Sequence, residues 1–358
     1  MTTALQEKEC STNNRDVNLD IYRGCIMIYI TCFIHNIYGV TNAYSVVTSY
    51  FLIEMPLIFF VSGAAHSLAR PRPYLPYLWG RVKRIVFPYY ILVCFVTLYH
   101  LIVDCGVGGE APADFLYGFL HNGYYNIFTG RLYEFNALWF VPVYLVVAAL
   151  LPVMDVVKKH LRPLYAYLLL GCAIVAIAIF PNAVLCYTIF TFAGLYYRKQ
   201  SLVNRWVVVV VSLLVIAYCI DSHRYAMDMQ VNKFPPNLYF LAYTGLVLVI
   251  LAKPLAWICR WLYRSALLRP LIDLYTRSGF TIYLYHGFNI IWLQKLFHHI
   301  AVATEPTAIG YAALFALASL ALLLSNAILG IIMQYVEARI MRCGENMWHK
   351  GIKQWIKH

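Results

Sequence analysis

The first apolar segment of the chain, from Leu19 to Gly39, carries an arginine and a histidine. Its sequence, LDIYRGCIMIYITCFIHNIYG, is long enough to cross a bilayer yet contains Arg23 and His35. An ionisable group inside a membrane helix costs about 2.5–3.5 kcal/mol, so such groups face a protein interior or a wet cavity and mark functional sites. Arg23 has an alternative explanation, since Asp20 precedes it by one helical turn and can pair with it. We expect this segment to carry part of a functional site.

The whole chain has the composition of a membrane protein. Apolar residues make up 62% of its 358 residues and charged residues 12%, whereas soluble proteins are about 45–50% apolar. A helix needs about 20 apolar residues to cross the hydrocarbon core. We therefore predict an all-α polytopic protein with about ten transmembrane helices, near residues 19–39, 46–69, 85–107, 137–157, 164–181, 183–198, 205–221, 237–259, 278–302 and 307–335.

The distribution of basic residues predicts the orientation of the chain. With these spans, 24 of the 28 lysines and arginines lie on one side, and the exceptions are Arg131, Arg224, Lys233 and Lys295. Because lysine and arginine favour cytoplasmic loops, both termini are predicted to be cytoplasmic. The net charge of +12 then reflects the basic residues that set the orientation of the chain in the membrane. Charge scattered over several loops argues against a nucleic-acid partner.

The chain is predicted to form one membrane domain without a metal site. A cytoplasmic tail over 1–18 precedes the domain at 19–336, and a basic cytoplasmic tail follows over 337–358. The ten cysteines include no Cys-x-x-Cys pair and most of them lie inside the predicted spans. We interpret them as small core residues, since neither a disulfide framework nor a zinc site has this pattern.

His35 and Glu54 are candidates for a catalytic pair. His35 lies about 6 Å from the outer end of the first span, and Glu54 about 12 Å into the second span from the same side. A carboxylate beside a histidine fixes the imidazole tautomer and stabilises its protonated form, which suits a general base. The alternative is a structural hydrogen-bonded pair that joins two helices, because any buried polar pair must be satisfied.

Arg81 and Arg84, in LWGRVKRIVFPYY, share one helix face because they are three residues apart. Paired guanidinium groups at the inner mouth of a span can bind phosphates in a bidentate manner. The alternative is anchoring to anionic lipid, which explains the charge but does not require this spacing.

His286, in SGFTIYLYHGFNIIW, belongs to a polar seam with Tyr283 and Asn289, which lie three residues before and after it. Such a seam can line a cavity. An intramembrane histidine is also often a satisfied contact between helices, and both explanations stay open for His286.

Several segments together resemble the acyltransferase-3 family of membrane O-acyltransferases. The strongest are LDIYRG followed by His35, then MPLIFFVSG, then RVKR followed by IVFPYY; weaker ones are ALWFVPVYL, TFAGLYYRK and SGFTIYLYH. The resemblance implies acyl-CoA, in the first place acetyl-CoA, as a cytoplasmic donor. It implies a catalytic histidine matched by His35 and donor-binding arginines matched by Arg23, Arg81 and Arg84.

The resemblance also implies the acceptor and the location. Family members acylate hydroxyl groups of cell-envelope or extracellular carbohydrates, including lipid-linked sugars, which implies a multi-pass protein of the bacterial cytoplasmic membrane. Ser62 in MPLIFFVSG and Trp139 in ALWFVPVYL lie in the similar segments and are further candidates to line the cavity, with His286, Tyr283 and Asn289.

One spacing departs from the family pattern. The family separates its first-span arginine and histidine by ten residues, whereas eleven separate Arg23 from His35. At about 100° per residue, a step of twelve leaves the two side chains about 120° apart on a regular helix. Either a π-bulge absorbs the extra residue, or only His35 lines the cavity and Arg23 pairs with Asp20.

These residues predict transfer of an acetyl or short acyl group from acyl-CoA to a carbohydrate hydroxyl. His35 would act as general base or as acyl carrier, Glu54 would orient its ring, and a passage would lead to it from the inner arginines. One alternative is a secondary transporter of glycans or lipid-linked sugars, with a His/Glu proton relay. Another is a non-catalytic scaffold in which each polar group is a separate helix contact.

Overall fold

The computed structural model describes residues 16–133, 135–160, 162–199, 202–304 and 306–355. Regular structure in these ranges is helical without strands, which confirms the all-α prediction. Of the predicted tails, 1–15 and 356–358 lie outside the described residues.

The α-helices follow one another through the described ranges. In chain order they are α1 (Val17–Ile28), α2 (Val46–Ser49), α3 (Glu54–Leu68), α4 (Tyr74–His100), α5 (Pro112–His121), α6 (Phe140–His160), α7 (Pro163–Ile179), α8 (Ala183–Leu195), α9 (Leu202–Asp221), α10 (Met229–Lys233), α11 (Leu238–Arg264), α12 (Leu268–Thr304) and α13 (Ala308–Trp355). Segments of π-helix cover Tyr29–Ile34, Asn36–Val40 and Leu101–Val107. Short 3₁₀ turns cover Ile127–Thr129, Asn136–Trp139 and Tyr197–Lys199.

The chain is an integral, multi-pass membrane protein. Within the described ranges, seven helical segments are long and apolar enough to cross a membrane: Val17–Val40, Val46–Leu68, Tyr74–Val107, Ala137–His160, Asn204–Asp221, Leu238–Arg264 and Ala308–Cys343. Helices α7 and α8 lie at two further predicted spans, but their apolar stretches are shorter. Helix α12 contains the predicted span 278–302 and is not among the seven. The total of about ten spans and the cytoplasmic position of both ends stay predictions.

The chain divides into two compact units, each built from separate stretches. The first unit comprises the residues up to Tyr38, Asn42–Trp79 and Val143–Thr276. The second comprises Gly39–Thr41, Gly80–Pro142 and the residues from Arg277 onward.

Close packing of α3 against α8 holds the first unit together. A Cβ atom on Gly63 would lie 2.0 Å from the carbonyl oxygen of Thr191, and one on Gly194 would lie 2.1 Å from that of Phe60. Glycine lets two membrane helices approach at backbone distance, which strengthens their van der Waals packing. This contact fixes α3, and the first residue of α3 is Glu54.

Polar contacts between α12 and α13 hold part of the second unit together. Ser278 Oγ lies 2.6 Å from Gln334 Oε1, and Thr281 Oγ1 donates to Glu337 Oε2 at 2.8 Å. Side-chain hydrogen bonds of this kind associate helices inside a membrane.

Candidate active site

A π-helical segment, Tyr29–Ile34, separates Arg23 from His35. The backbone N–H of His35 donates to the carbonyl oxygen of Ile30, five residues earlier, where an α-helix would use the residue four positions earlier. A π-helical segment, one of the two explanations considered for the eleven-residue spacing, is therefore present between Arg23 and His35.

The bulge changes which helix face His35 occupies. A π-bulge accommodates one additional residue without advancing the face of the helix. Twelve positions then count as eleven, which at about 100° per residue leaves Arg23 and His35 about 20° apart. By this count the bulge would bring Arg23 and His35 back to one helix face, which a regular helix with the same spacing would not do.

Arg23 also makes the ion pair that was considered as its alternative role. Its Nη1 lies 3.9 Å from Asp20 Oδ1, and the arginine side chain is 45% exposed. A contact of this length engages little of a guanidinium group that has five N–H donors. Arg23 can therefore pair with Asp20 and still offer donors to a phosphate.

His35 lies between the two π-helical segments, Tyr29–Ile34 and Asn36–Val40. Its side chain is half-buried, and the neighbouring Ile34 and Asn36 are buried. The imidazole is thus partly enclosed without being sealed into the core, as a group that must meet a substrate requires.

Glu54 is joined to Lys233 in the interior of the first unit. The carboxylate is 1% exposed and Lys233 is 4% exposed, and Lys233 Nζ donates to Glu54 Oε1. A buried carboxylate is tolerated when it is paired, and the N-terminus of α3 adds a favourable dipole. Lys233 was counted among the basic residues of the outer side; in the structure it ends α10, in the connection between α9 and α11, and contacts Glu54.

The second carboxylate oxygen is available for another role. Glu54 Oε2 is buried and makes no hydrogen bond to the described residues. Since Oε1 accepts from Lys233, any orienting action of Glu54 on His35 depends on Oε2, and that role stays a prediction.

The turn that precedes Glu54 is held by bonds from other segments of the first unit. Tyr29 Oη donates to Phe51 O at 2.5 Å, Tyr243 Oη to Tyr50 O at 2.6 Å, and the Met229 N–H to Ser49 Oγ at 2.9 Å. These contacts tie the turn to the π-helical segment Tyr29–Ile34, to α11 and to α10. The position of Glu54 is therefore set from several directions.

Arg81 and Arg84 lie in the second unit on α4, three residues apart as predicted. Arg84 is exposed and Arg81 is half-buried. The helix continues without a break through both positions, so the two side chains share one face.

The polar seam on α12 is satisfied within the second unit. His286 is 2% exposed, and its Nδ1 donates to the carbonyl oxygen of Tyr283. Tyr283 Oη donates to Ala137 O, and Asn289 Nδ2 donates to Asn326 Oδ1 at 2.8 Å. These bonds support the structural explanation for the seam.

The two remaining candidates are half-buried and lie in different units. Ser62 is on α3 in the first unit, and Trp139 ends a 3₁₀ turn in the second. Among the residues with described positions, no group of three or more His, Cys, Asp or Glu side chains could hold a metal ion.

Comparison with known families identifies the chemistry. The family model of the acyltransferase-3 domain matches residues 16–329, nearly the whole chain. The chain belongs to the acyltransferase-3 family. No curated protein and no solved structure matches it. As a member of this family it is a membrane acyltransferase, and the resemblance inferred from its segments is confirmed.

In this acyltransferase-3 protein, Lys233 is the residue that the sequence did not single out. It lies 179 positions from Glu54 along the chain. The surrounding sequence, VNKFPP, shows no apolar periodicity that would predict a buried lysine. The one available signal was a glutamate in an apolar span, which requires a partner somewhere in the fold.

Proposed function

We propose that this acyltransferase moves an acetyl or another short acyl group from acyl-CoA to a hydroxyl group of a cell-envelope or extracellular carbohydrate. Family membership supports the acyl transfer. The π-helical segment between Arg23 and His35 is the observation that supports the residue assignment, because one residue absorbed there would bring both groups to one helix face.

His35 is the proposed general base. A sugar hydroxyl is too weak an acid to attack a thioester unaided near neutral pH, so the imidazole removes its proton as the oxygen attacks the acyl carbonyl. The carbon–sulfur bond then breaks, and the CoA thiolate takes up the proton from the imidazolium. In a second version, His35 carries the acyl group covalently between donor and acceptor. Labelled acyl-enzyme trapped without acceptor would identify this version.

Arg81 and Arg84 are the proposed ligands of the donor phosphates, with Arg23 as a further cation. Guanidinium groups bind phosphate oxygens in a bidentate manner. The exposed Arg84 and Arg81, one turn earlier, place two guanidinium groups on one face of α4. We propose that this face is cytoplasmic and that the membrane is the bacterial cytoplasmic membrane, where acyl-CoA is present on the inner side.

The function is tested with membranes that contain the full chain, [¹⁴C]acetyl-CoA and envelope glycans from a host that lacks it. We expect label in the glycan fraction with the wild-type protein and a loss of at least 100-fold with His35→Ala. His299→Ala is the matched control, because His299 is exposed near the end of α12. Full transfer by His35→Ala would overturn the site assignment. Movement of glycan across the membrane without acetylation would favour the alternative function, a secondary transporter.

A further inference from the structure

A histidine and an aspartate of the second unit form a hydrogen-bonded pair apart from the residues discussed above. His100 Nδ1 lies 3.1 Å from Asp104 Oδ2 and donates to it, since an ionised carboxylate only accepts. The histidine side chain is 13% exposed, whereas the aspartate side chain is 36% exposed. A carboxylate bonded in this way fixes the tautomer and the direction of the imidazole. The pair is therefore held in one geometry, and its carboxylate is partly open to the surface.

Aromatic rings contact the imidazole of this pair. The ring of Tyr133 stacks on His100 with 3.8 Å between centroids and 6° between planes, and Tyr124 lies 4.4 Å from Tyr133. Tyr99 meets the His100 ring edge to face at 5.3 Å and is exposed. The stacked rings hold the imidazole, and Tyr99 offers an aromatic surface beside it.

The backbone departs from regular geometry at two places in this group. Asp104 lies in the π-helical segment Leu101–Val107, which directly follows His100, and π-helical turns are frequent at functional sites. Tyr133 has a φ of +47°, a left-handed conformation that strains a residue other than glycine and clusters at binding sites. Tyrosine is common at membrane interfaces, which explains an exposed Tyr99 but not a fixed His–Asp pair beside it.

The charge of the connection between the predicted spans 85–107 and 137–157 limits what this group can bind. Residues 101–136 contain one basic residue, Arg131, and four acidic residues, Asp104, Glu110, Asp114 and Glu134. The excess of negative charge repels phosphates and so disfavours acyl-CoA and anionic lipid headgroups. A neutral sugar suits it, because hydroxyl groups donate to a carboxylate and the carbon–hydrogen face of the ring packs on an aromatic wall.

We propose that Asp104, held by His100, and the ring of Tyr99 bind the carbohydrate acceptor, and that Tyr133 is a positioning residue that holds the imidazole. This inference rests on the proposed function and names the acceptor as a neutral glycan. It assigns acceptor binding to the end of α4 and the π-helical segment that follows, on the side predicted to face away from the cytoplasm. The group takes no part in proton transfer, which stays with His35, and acts on the affinity for the glycan.

The test uses the full chain purified in lipid nanodiscs, with [¹⁴C]acetyl-CoA and a titration of neutral glycans released from the envelope of a host that lacks the protein. We expect Asp104→Asn to raise the apparent KM for the glycan by about tenfold, as loss of a charge-assisted hydrogen bond predicts, with the KM for acetyl-CoA unchanged. Asp114→Asn is the matched control, because it makes the same change of charge at an exposed position in the same connection. Equal glycan KM values for the two variants would overturn the inference.

A second variant tests the aromatic surface without touching a buried side chain. Tyr99→Ala should raise the glycan KM at least threefold, because a sugar ring loses the face on which it packs. Tyr218→Ala is its control, since Tyr218 on α9 is 54% exposed and Tyr99 is 51% exposed. A wild-type glycan KM in Tyr99→Ala would overturn the assignment of a sugar to this surface.

A structural role for the pair predicts a different result. If His100 and Asp104 only held the connection in place, Asp104→Asn would lower the unfolding temperature, and the folded protein would keep the wild-type glycan KM. That result would overturn the inference. Calorimetric titration of the same glycans without acetyl-CoA measures their affinity independently of transfer, and we expect it to fall in Asp104→Asn by the same factor as the KM rises.

The results also separate this inference from the proposed function. If the wild-type protein labels the glycans and Asp104→Asn has the wild-type KM and affinity for them, the acceptor site is wrong while acyl transfer stands. If the wild-type protein transfers no label to any hydroxyl acceptor, the proposed function fails and the acceptor site fails with it.

Discussion

The backbone N–H of His35 bonds to the carbonyl oxygen of Ile30, five residues earlier, and this bond closes the π-helical segment Tyr29–Ile34. One additional residue separates His35 from Arg23 in comparison with the family pattern, and the wider turn lies in the stretch between them. Segments of this type are rare in proteins, and those that occur often lie at functional sites. We interpret the bulge as the means by which this chain keeps an arginine and a histidine on one helix face.

The Glu54–Lys233 pair should dominate the stability of the first unit around α3. Removing one partner of a buried ion pair leaves an uncompensated charge, so Lys233→Met should lower the free energy of unfolding by about 3–5 kcal/mol. Thermal unfolding of the purified protein in detergent measures this. Adding Glu54→Gln to Lys233→Met should restore most of the loss. Lys253→Met is the control, since Lys253 is exposed on α11. Equal unfolding temperatures for Lys233→Met and Lys253→Met would contradict the burial of the pair.

The contact between α3 and α8 requires glycine. Gly194→Val should push the two helices apart, since even a Cβ at this position would lie 2.1 Å from Phe60 O. Overpacking of this kind costs about 1–3 kcal/mol and sometimes more. The yield of monodisperse protein and its unfolding temperature are the measurements. Gly171→Val serves for comparison, because a Cβ at Gly171 meets nothing within 4 Å. A Gly194→Val protein as stable as Gly171→Val would show that the helices are not in backbone contact.

Arg84 should act on the donor and not on the chemical step. Arg84→Ala should raise the apparent KM for acetyl-CoA by about tenfold or more, as loss of a charge-assisted hydrogen bond predicts, with a smaller effect on kcat. Arg84→Lys should recover part of the loss, because lysine keeps the charge without the bidentate geometry. Steady-state kinetics with varied acetyl-CoA gives both constants. Arg224→Ala, at an exposed position, is the control. An unchanged KM in Arg84→Ala would return Arg84 to a role as a lipid anchor.

The sequence predicted features that depend on local spacing. The helical segments followed from apolar length, and the count of residues between Arg23 and His35 indicated a bulge as one of two explanations. The seam of Tyr283, His286 and Asn289 followed from helical periodicity, and its bonds to Ala137 and Asn326 show what such a seam does in the fold.

Features that depend on contacts between distant segments could not be predicted from the sequence. Glu54 was recognised as a buried charge, but its partner Lys233 lies at the end of a five-residue helix before Phe234 and two prolines. The sequence indicated only a side of the membrane for Lys233, because charge counting treats each basic residue as a topology signal and does not identify a partner. The ion pair exists through tertiary packing, which hydropathy along one chain does not encode.

The most direct test of the account changes the length of the π-helical segment. Deletion of Ile34 should convert the bulge into a regular helix and keep Arg23 and His35 on one face, while insertion of an alanine after Ile34 should turn His35 away by about 100°. Initial rates of [¹⁴C]acetyl transfer to envelope glycans, with equal amounts of folded protein, measure the effect. We predict that the deletion keeps transfer within about threefold of wild type and that the insertion lowers it at least 100-fold, beyond about 2.7 kcal/mol of activation free energy. Equal rates for the two variants, or loss of transfer in the deletion alone, would contradict the central claim.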